Sequence, residues 1–332
     1  MCRQAPIAAC WAISAHIVGY YQRMRKLIGS ALGVVLLLCA LSGCAFLDPR
    51  IDGTPTNSAT DPFSSEYADQ AENIHSAWES VAVLKSDPTA AKWAEMSATL
   101  YSQWLVLTGP DPVHRVAATG TEPETVPGSY TSFDDVVQHA DEALVTARDS
   151  ALTLAGSSTG LYVGFWASLG ASLEQVRLGL TGPYDQPIAP DPARTIETTG
   201  NDEALTALID RYTEGVFAIK AALGFLDDSG PDWPQFQTVL STLEKDLSDL
   251  NALAASQNIA VDPAGLYELP SGRDRDTSLQ LLSGIQTSLV DAAAVWASSA
   301  ADPTDAATYL MHAATLAMPY GIGTAVWPGW PD

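Results

Sequence analysis

TGPYDQPIAPDPARTIETTGN, residues 181–201, holds four prolines and no apolar period, so it continues neither helix nor strand. Its position divides the chain, because both flanks read as helix. Before it, Tyr67, Ile74, Trp78, Val81 and Leu84 recur at threes and fours from about residue 64. Asp87-Pro88 then restarts a helix, with aspartate as cap and proline in the first turn. That helix carries Trp93, Met96, Leu100, Trp104 and Leu107 and stops at Gly109-Pro110. A loop rich in Pro, Gly and Thr covers about 109–131. Ser132, three residues before Asp135, caps a third helix, and a fourth runs over about 160–180. After the proline stretch, four more helices are expected at about 202–226, 233–257, 275–299 and 303–320, with Asp232 and Asp302 as caps for the second and fourth. Strand-type alternation is rare. The expected fold is all-α: two tandem four-helix bundles, 63–182 and 202–332, joined by a linker at 183–201. A faint echo between Asp87-Pro88-Thr89-Ala90-Ala91 and Asp302-Pro303-Thr304-Asp305-Ala306-Ala307 is as well explained by helix-start chemistry as by duplication.

The N-terminus points to an address. Leu27–Ala40 is an apolar run of about fourteen residues, short of the roughly twenty that cross a bilayer and right for a signal-peptide core. Arg25 and Lys26 precede it, and Leu41-Ser42-Gly43-Cys44 follows. Those four residues resemble the lipobox of bacterial lipoproteins. The resemblance implies cleavage after Gly43 and diacylglycerol on the Cys44 sulfur, which holds a chain stably at the extracytoplasmic face of the membrane. The same order of elements predicts Met24 as the start, and residues 45–62 as a polar tether.

Processing at Cys44 removes Cys2, Cys10 and Cys39 and leaves no second cysteine. Disulfides, zinc–thiolate sites and cysteine nucleophiles are thereby excluded from the mature domain. The full chain carries a net charge of −23; without Arg3, Arg23, Arg25 and Lys26 it keeps 12 cations against 39 acids, a net −27. Such a surface repels nucleic acid, and the membrane is reached through the lipid rather than through charge.

The C-terminal half bears a further likeness. DPAGLYELPSGRDRDTSLQLLSGIQT, residues 262–287, places Tyr267-x-Leu-Pro270 before a helix, and the chain closes on Trp327-Pro328-Gly329. This resembles the ferritin-like domain of unknown function found in actinobacterial proteins, many of them lipoproteins, over about 202–332. The resemblance implies a four-helix bundle with a crossover. Where that family often carries Ala-Glu-His, this chain has Thr213-Glu214-Gly215. A di-iron bundle draws Glu-x-x-His from two helices, and the one histidine of this half, His312, has no glutamate three residues before it. Glu214, Glu244 and Asp291 are scattered acids on separate helices. No cofactor is expected.

The single Glu-x-x-His is Glu72 to His75, with His139 as a possible third contributor from another helix. A solvated or core-edge histidine is the plainer reading. No Gly-x-Ser-x-Gly elbow, phosphate loop or dinucleotide fingerprint occurs. Trp78, Trp93, Trp104, Trp166, Trp233, Trp296, Trp327 and Trp330 are expected mainly as core, the last two packing across a bundle end. The expected function is a lipid-anchored envelope protein serving as an interaction or scaffold module. The alternatives are a metal-dependent redox protein using Glu72 and His75, and a carrier of a small apolar ligand held in a groove between the halves.

Overall fold

LYVGFWASLGASLEQVRLGLT has apolar or small residues on every face, and a helix of that kind must be surrounded by protein. In the computed structural model it is the central helix. The structure describes residues 63–85, 91–120, 132–184, 199–261, 274–323 and 325–330. These form eight α-helices: α1 (Ser64–Leu84), α2 (Lys92–Leu107), α3 (Phe133–Ser157), α4 (Leu161–Thr181), α5 (Asn201–Leu223), α6 (Asp232–Ser256), α7 (Arg275–Ala297) and α8 (Pro303–Thr315). A 3-10 turn, Met318–Tyr320, follows α8. The fold is all-α; among the described residues the only β pairing is an isolated bridge between Asp111 and Val116.

Helices α1 to α4 form one group, with α1 between α2 and α3, and α3 against α4. Helices α5 to α8 form a second, with α5 between α6 and α7, and α7 against α8. The groups meet where α4 packs on α8 and touches α7, with α3 also reaching α8. Small side chains bring these axes together. Ala140, Ala147, Ala151 and Ala155 line the buried face of α3, and Ala306, Ala307, Ala313 and Ala314 that of α8. On α4, a Cβ at Gly170 would stand 2.8 Å from the Leu152 side chain.

Residues Pro62–Asp332 therefore form one compact unit around one apolar cluster, distinct from Met1–Asp61. The two four-helix groups share this cluster. A four-helix group could cover only part of α4, and the alanine face of α8 supplies the rest. Packed side chains of α3, α4, α7 and α8 fill the seam. The unit carries its own core and is expected to fold without the residues before it.

The C-terminal residues close the seam. Trp327 stacks on Phe165, with centroids 5.2 Å apart and planes at 23°. Trp330 meets the same ring edge-on and donates from Nε1 to the Val113 carbonyl at 3.2 Å. Gln103 of α2 donates to the Val326 carbonyl at 3.0 Å. Gly164 makes room, since a Cβ there would lie 2.6 Å from the Trp330 ring. Gly329 adopts φ +70°, and a Cβ on it would collide with Ala294. The tail is thus a cover, and it also ties α2 and α4 to α7.

Two polar devices hold the first group together. Lys92 of α2 donates to the carbonyls of Gly179, Leu180 and Gly182 at 2.9, 3.2 and 2.9 Å, closing the C-terminus of α4, whose last turn holds no basic residue. Glu174 of α4 accepts from Arg148 of α3 at 2.6 Å and from Arg177 at 2.7 Å, while Arg177 also reaches Asp141 of α3 at 3.2 Å. Burial opposes the charge on Glu174, but the two guanidiniums outweigh it and hold the carboxyl below the ordinary glutamate range.

Helix starts follow the sequence in part. Ser132 accepts from the Asp135 N–H, and Asp302 from the Thr304 N–H. Asp232 is instead the first residue of α6, and its carboxylate pairs with Arg275 at 2.8 Å. Asp274 forms an unforeseen capping box with Thr277. Helix α8 ends at Thr315 rather than near 320, because Pro319 cannot continue it. Asp87-Pro88 and Tyr267–Pro270 lie outside the described residues.

Candidate functional site

Cys44 and the preceding Leu41, Ser42 and Gly43 lie outside the described residues, as does Met24. Glu72, His75 and His139 are described, and the structure does not bring them together. Glu72 is exposed. The His75 ring turns toward α2, 5.4 Å from the Trp78 ring and 5.6 Å from that of Trp104, with Nδ1 3.7 Å from Glu79. The His139 Nδ1 lies 2.8 Å from the Asp135 carbonyl of its own helix, where its N–H can donate. Among the described residues, no group of three or more His, Cys, Asp or Glu side chains is placed to hold a metal ion. Of the scattered acids, Glu214 pairs with Arg211 and Glu244 with Lys220, each at 2.7 Å and part-exposed, and Asp291 is half-buried.

A different cluster stands inside the second group. On α6 the buried residues are Phe236, Val239, Leu243, Asp246, Leu250 and Ala254, a stripe at threes and fours with one aspartate in register. Helical periodicity forces that aspartate inward, and its side chain is only 4% exposed. Three residues surround it. The Tyr212 hydroxyl of α5 donates to Asp246 Oδ2 at 3.5 Å, and the His312 Nδ1 of α8 lies 3.4 Å from the same oxygen. Tyr309, one turn before His312, packs edge-on to Tyr212 and to His312. Burial, then the charge of Asp246, raises the pKa of both Tyr212 and Tyr309, so both phenols stay protonated. The sequence signal was present: an aspartate inside an apolar stripe, and a histidine one turn from the end of a helix. The bridging of the two was not readable, since it depends on which helices are neighbours.

His312 also borders solvent. Its side chain is 38% exposed, yet Nδ1 is buried and has no hydrogen bond, so the accessible edge of the ring is the one away from Asp246. That edge faces a groove of about 320 Å³ between α6 and α8, floored by Val239 and Leu316 and flanked by Gln235, Thr238, Thr242, Thr315 and Pro319. A second groove of about 380 Å³ lies between α5 and α7, over Gly215, Ala218, Gly284 and Ile285. Its charged rim, Arg211 and Glu214, is already paired.

Chemically, the first groove offers an imidazole backed by a buried carboxylate, beside an apolar floor. The three threonine hydroxyls donate to the carbonyls of Pro234, Thr238 and Met311 in their own helices, so they present only lone pairs outward. No described helix is long and apolar enough to cross a membrane. No family model, curated protein or solved structure matches the chain.

Proposed function

We propose that this is a lipid-anchored protein of the cell envelope, held at the extracytoplasmic face of the membrane by acyl chains on Cys44, and that its helical unit is a binding module of ferritin-like topology. The observation that carries the anchor is Leu41-Ser42-Gly43-Cys44 at the end of a short apolar run, followed by a polar tether. A tether of that length reaches roughly 20–25 Å as a flexible coil, enough to set the unit off the bilayer. The ferritin-like assignment draws support from helix adjacency. Helix α5 lies beside both α6 and α7, and α7 beside α8, as a crossover between two helix pairs requires. The module reading draws on the single core, which keeps the surface of the unit in one shape.

The test compares wild type with Cys44→Ala in a bacterium that processes lipoproteins. Wild type is expected in the membrane fraction, with a mature N-terminus at Cys44 carrying the mass of diacylglycerol. Cys44→Ala is expected to lose that mass and the membrane association of the mature form. An unmodified, membrane-free wild-type protein would refute the anchor. The redox reading on Glu72, His75 and His139 has no support from the geometry of those residues. The ligand-carrier reading is favoured by one observation, the apolar groove beside His312, although the groove lies within the second helix group.

A further inference from the structure

We propose that the groove between α6 and α8 binds a small neutral aryl alcohol, whose hydroxyl donates to Nε2 of His312 while Asp246 keeps the imidazole proton on Nδ1. This deepens the ligand-carrier reading and is independent of the anchor. Four observations fix the class of ligand. The space, about 320 Å³, suits one or two fused rings and is too small for a peptide helix. The floor of Val239 and Leu316 favours an apolar body. Thr238, Thr242 and Thr315 turn acceptors outward, since each hydroxyl proton is used within its own helix, and the Gln235 amide on the same wall can both donate and accept, so a hydroxyl, which does both, suits the lining. Charge argues against the ionic alternatives. An anion would meet an acidic protein and the Asp246 carboxylate behind the ring. An ammonium could not reach Asp246, which is buried behind His312, and would give up its hydration to an apolar floor.

Asp246 is here a positioning residue. The charge of a buried carboxylate 3.4 Å from Nδ1, although not hydrogen-bonded to it, favours the proton on that nitrogen, which leaves the other as an acceptor. Tyr212 donates to the same carboxylate oxygen and keeps it compensated without competing for the groove.

The experiment uses the chain from residue 45 onward, which retains the whole compact unit, with 2-naphthol, naphthalene and 2-naphthylmethylamine as probes in calorimetric or fluorescence titrations. The account expects 2-naphthol to bind with a Kd on the order of 100 μM. Naphthalene should bind about tenfold more weakly, since it leaves the His312 acceptor unpaired. His312→Phe should bring the two to equal affinity, and Thr242→Trp, an exposed change that fills the groove, should abolish both. Long-range proton–nitrogen correlation spectra of the naphthol complex should show His312 as the Nδ1–H tautomer. Equal binding of naphthol and naphthalene by wild type would overturn the hydroxyl recognition while leaving an apolar carrier. Tighter binding of the cationic amine, or an Nε2–H tautomer in the complex, would overturn the assignment of the ligand. No binding of any probe would overturn both this inference and the carrier reading.

Discussion

Trp330→Ala is expected to destabilise the unit by about 4 kcal/mol, the range for deleting a buried tryptophan side chain. In a chain of this size that lowers Tm by roughly 10 °C. The indole is only 5% exposed, packs in the cleft that Gly164 leaves open, and donates to Val113. Its removal leaves a cavity against Phe165 and frees a carbonyl, and the surrounding helices are too tightly meshed to collapse into the space. Trp330→Phe keeps a ring but loses the hydrogen bond, and should cost about half as much. Urea unfolding of the three proteins checks this. A loss below about 1 kcal/mol for Trp330→Ala would mean that the tail lies outside the core.

Glu174→Gln is expected to cost about 2 kcal/mol near neutral pH, because the partly buried guanidiniums of Arg148 and Arg177 lose their shared carboxylate and keep only the more exposed Asp149 and Asp141. The pH dependence has a definite sign. Glu174 is held below its ordinary value in the folded chain, so it contributes stability above the unfolded pKa, near 4.5. That contribution fades as pH falls through the lower folded value. The stability gap between wild type and Glu174→Gln should therefore be full at pH 7 and narrow progressively below about pH 4.5. A gap that stays constant from pH 7 to pH 3 would show that the carboxylate charge is not what holds α3 to α4.

The physics that the sequence expresses locally was legible in it. Helical periods placed every helix, and Ser132 and Asp302 announced their caps because an N-cap depends on residues two or three positions away. Asp232 misled for the same reason: a local cap rule competes poorly with an arginine from another helix, and Arg275 is 43 residues away. The proline stretch at 181–201 falls between the end of α4 at Thr181 and the start of α5 at Asn201, and its residues 185–198 lie outside the described residues. What joins the halves is the all-round apolar character of α4, readable in its composition, and the alanine face of α8, whose partner is not. Lys92 could not be assigned either, since its three carbonyls lie about 90 residues downstream. Among site residues, the i, i+3 spacing of Glu72 and His75 is real but faces no third ligand. The cluster that did assemble, Asp246 with Tyr212 and His312, takes one residue from each of three helices, and the sequence carries the aspartate in its apolar stripe and the histidine near a helix end but not their meeting.

One core shared by eight helices is the claim on which the binding-module reading depends, and calorimetry of residues 45–332 tests it most directly. The account predicts a single transition whose calorimetric and van't Hoff enthalpies agree, lost at one temperature by the helices before residue 182 and those after residue 200 alike. Two resolved transitions, one for each helix group, would contradict it.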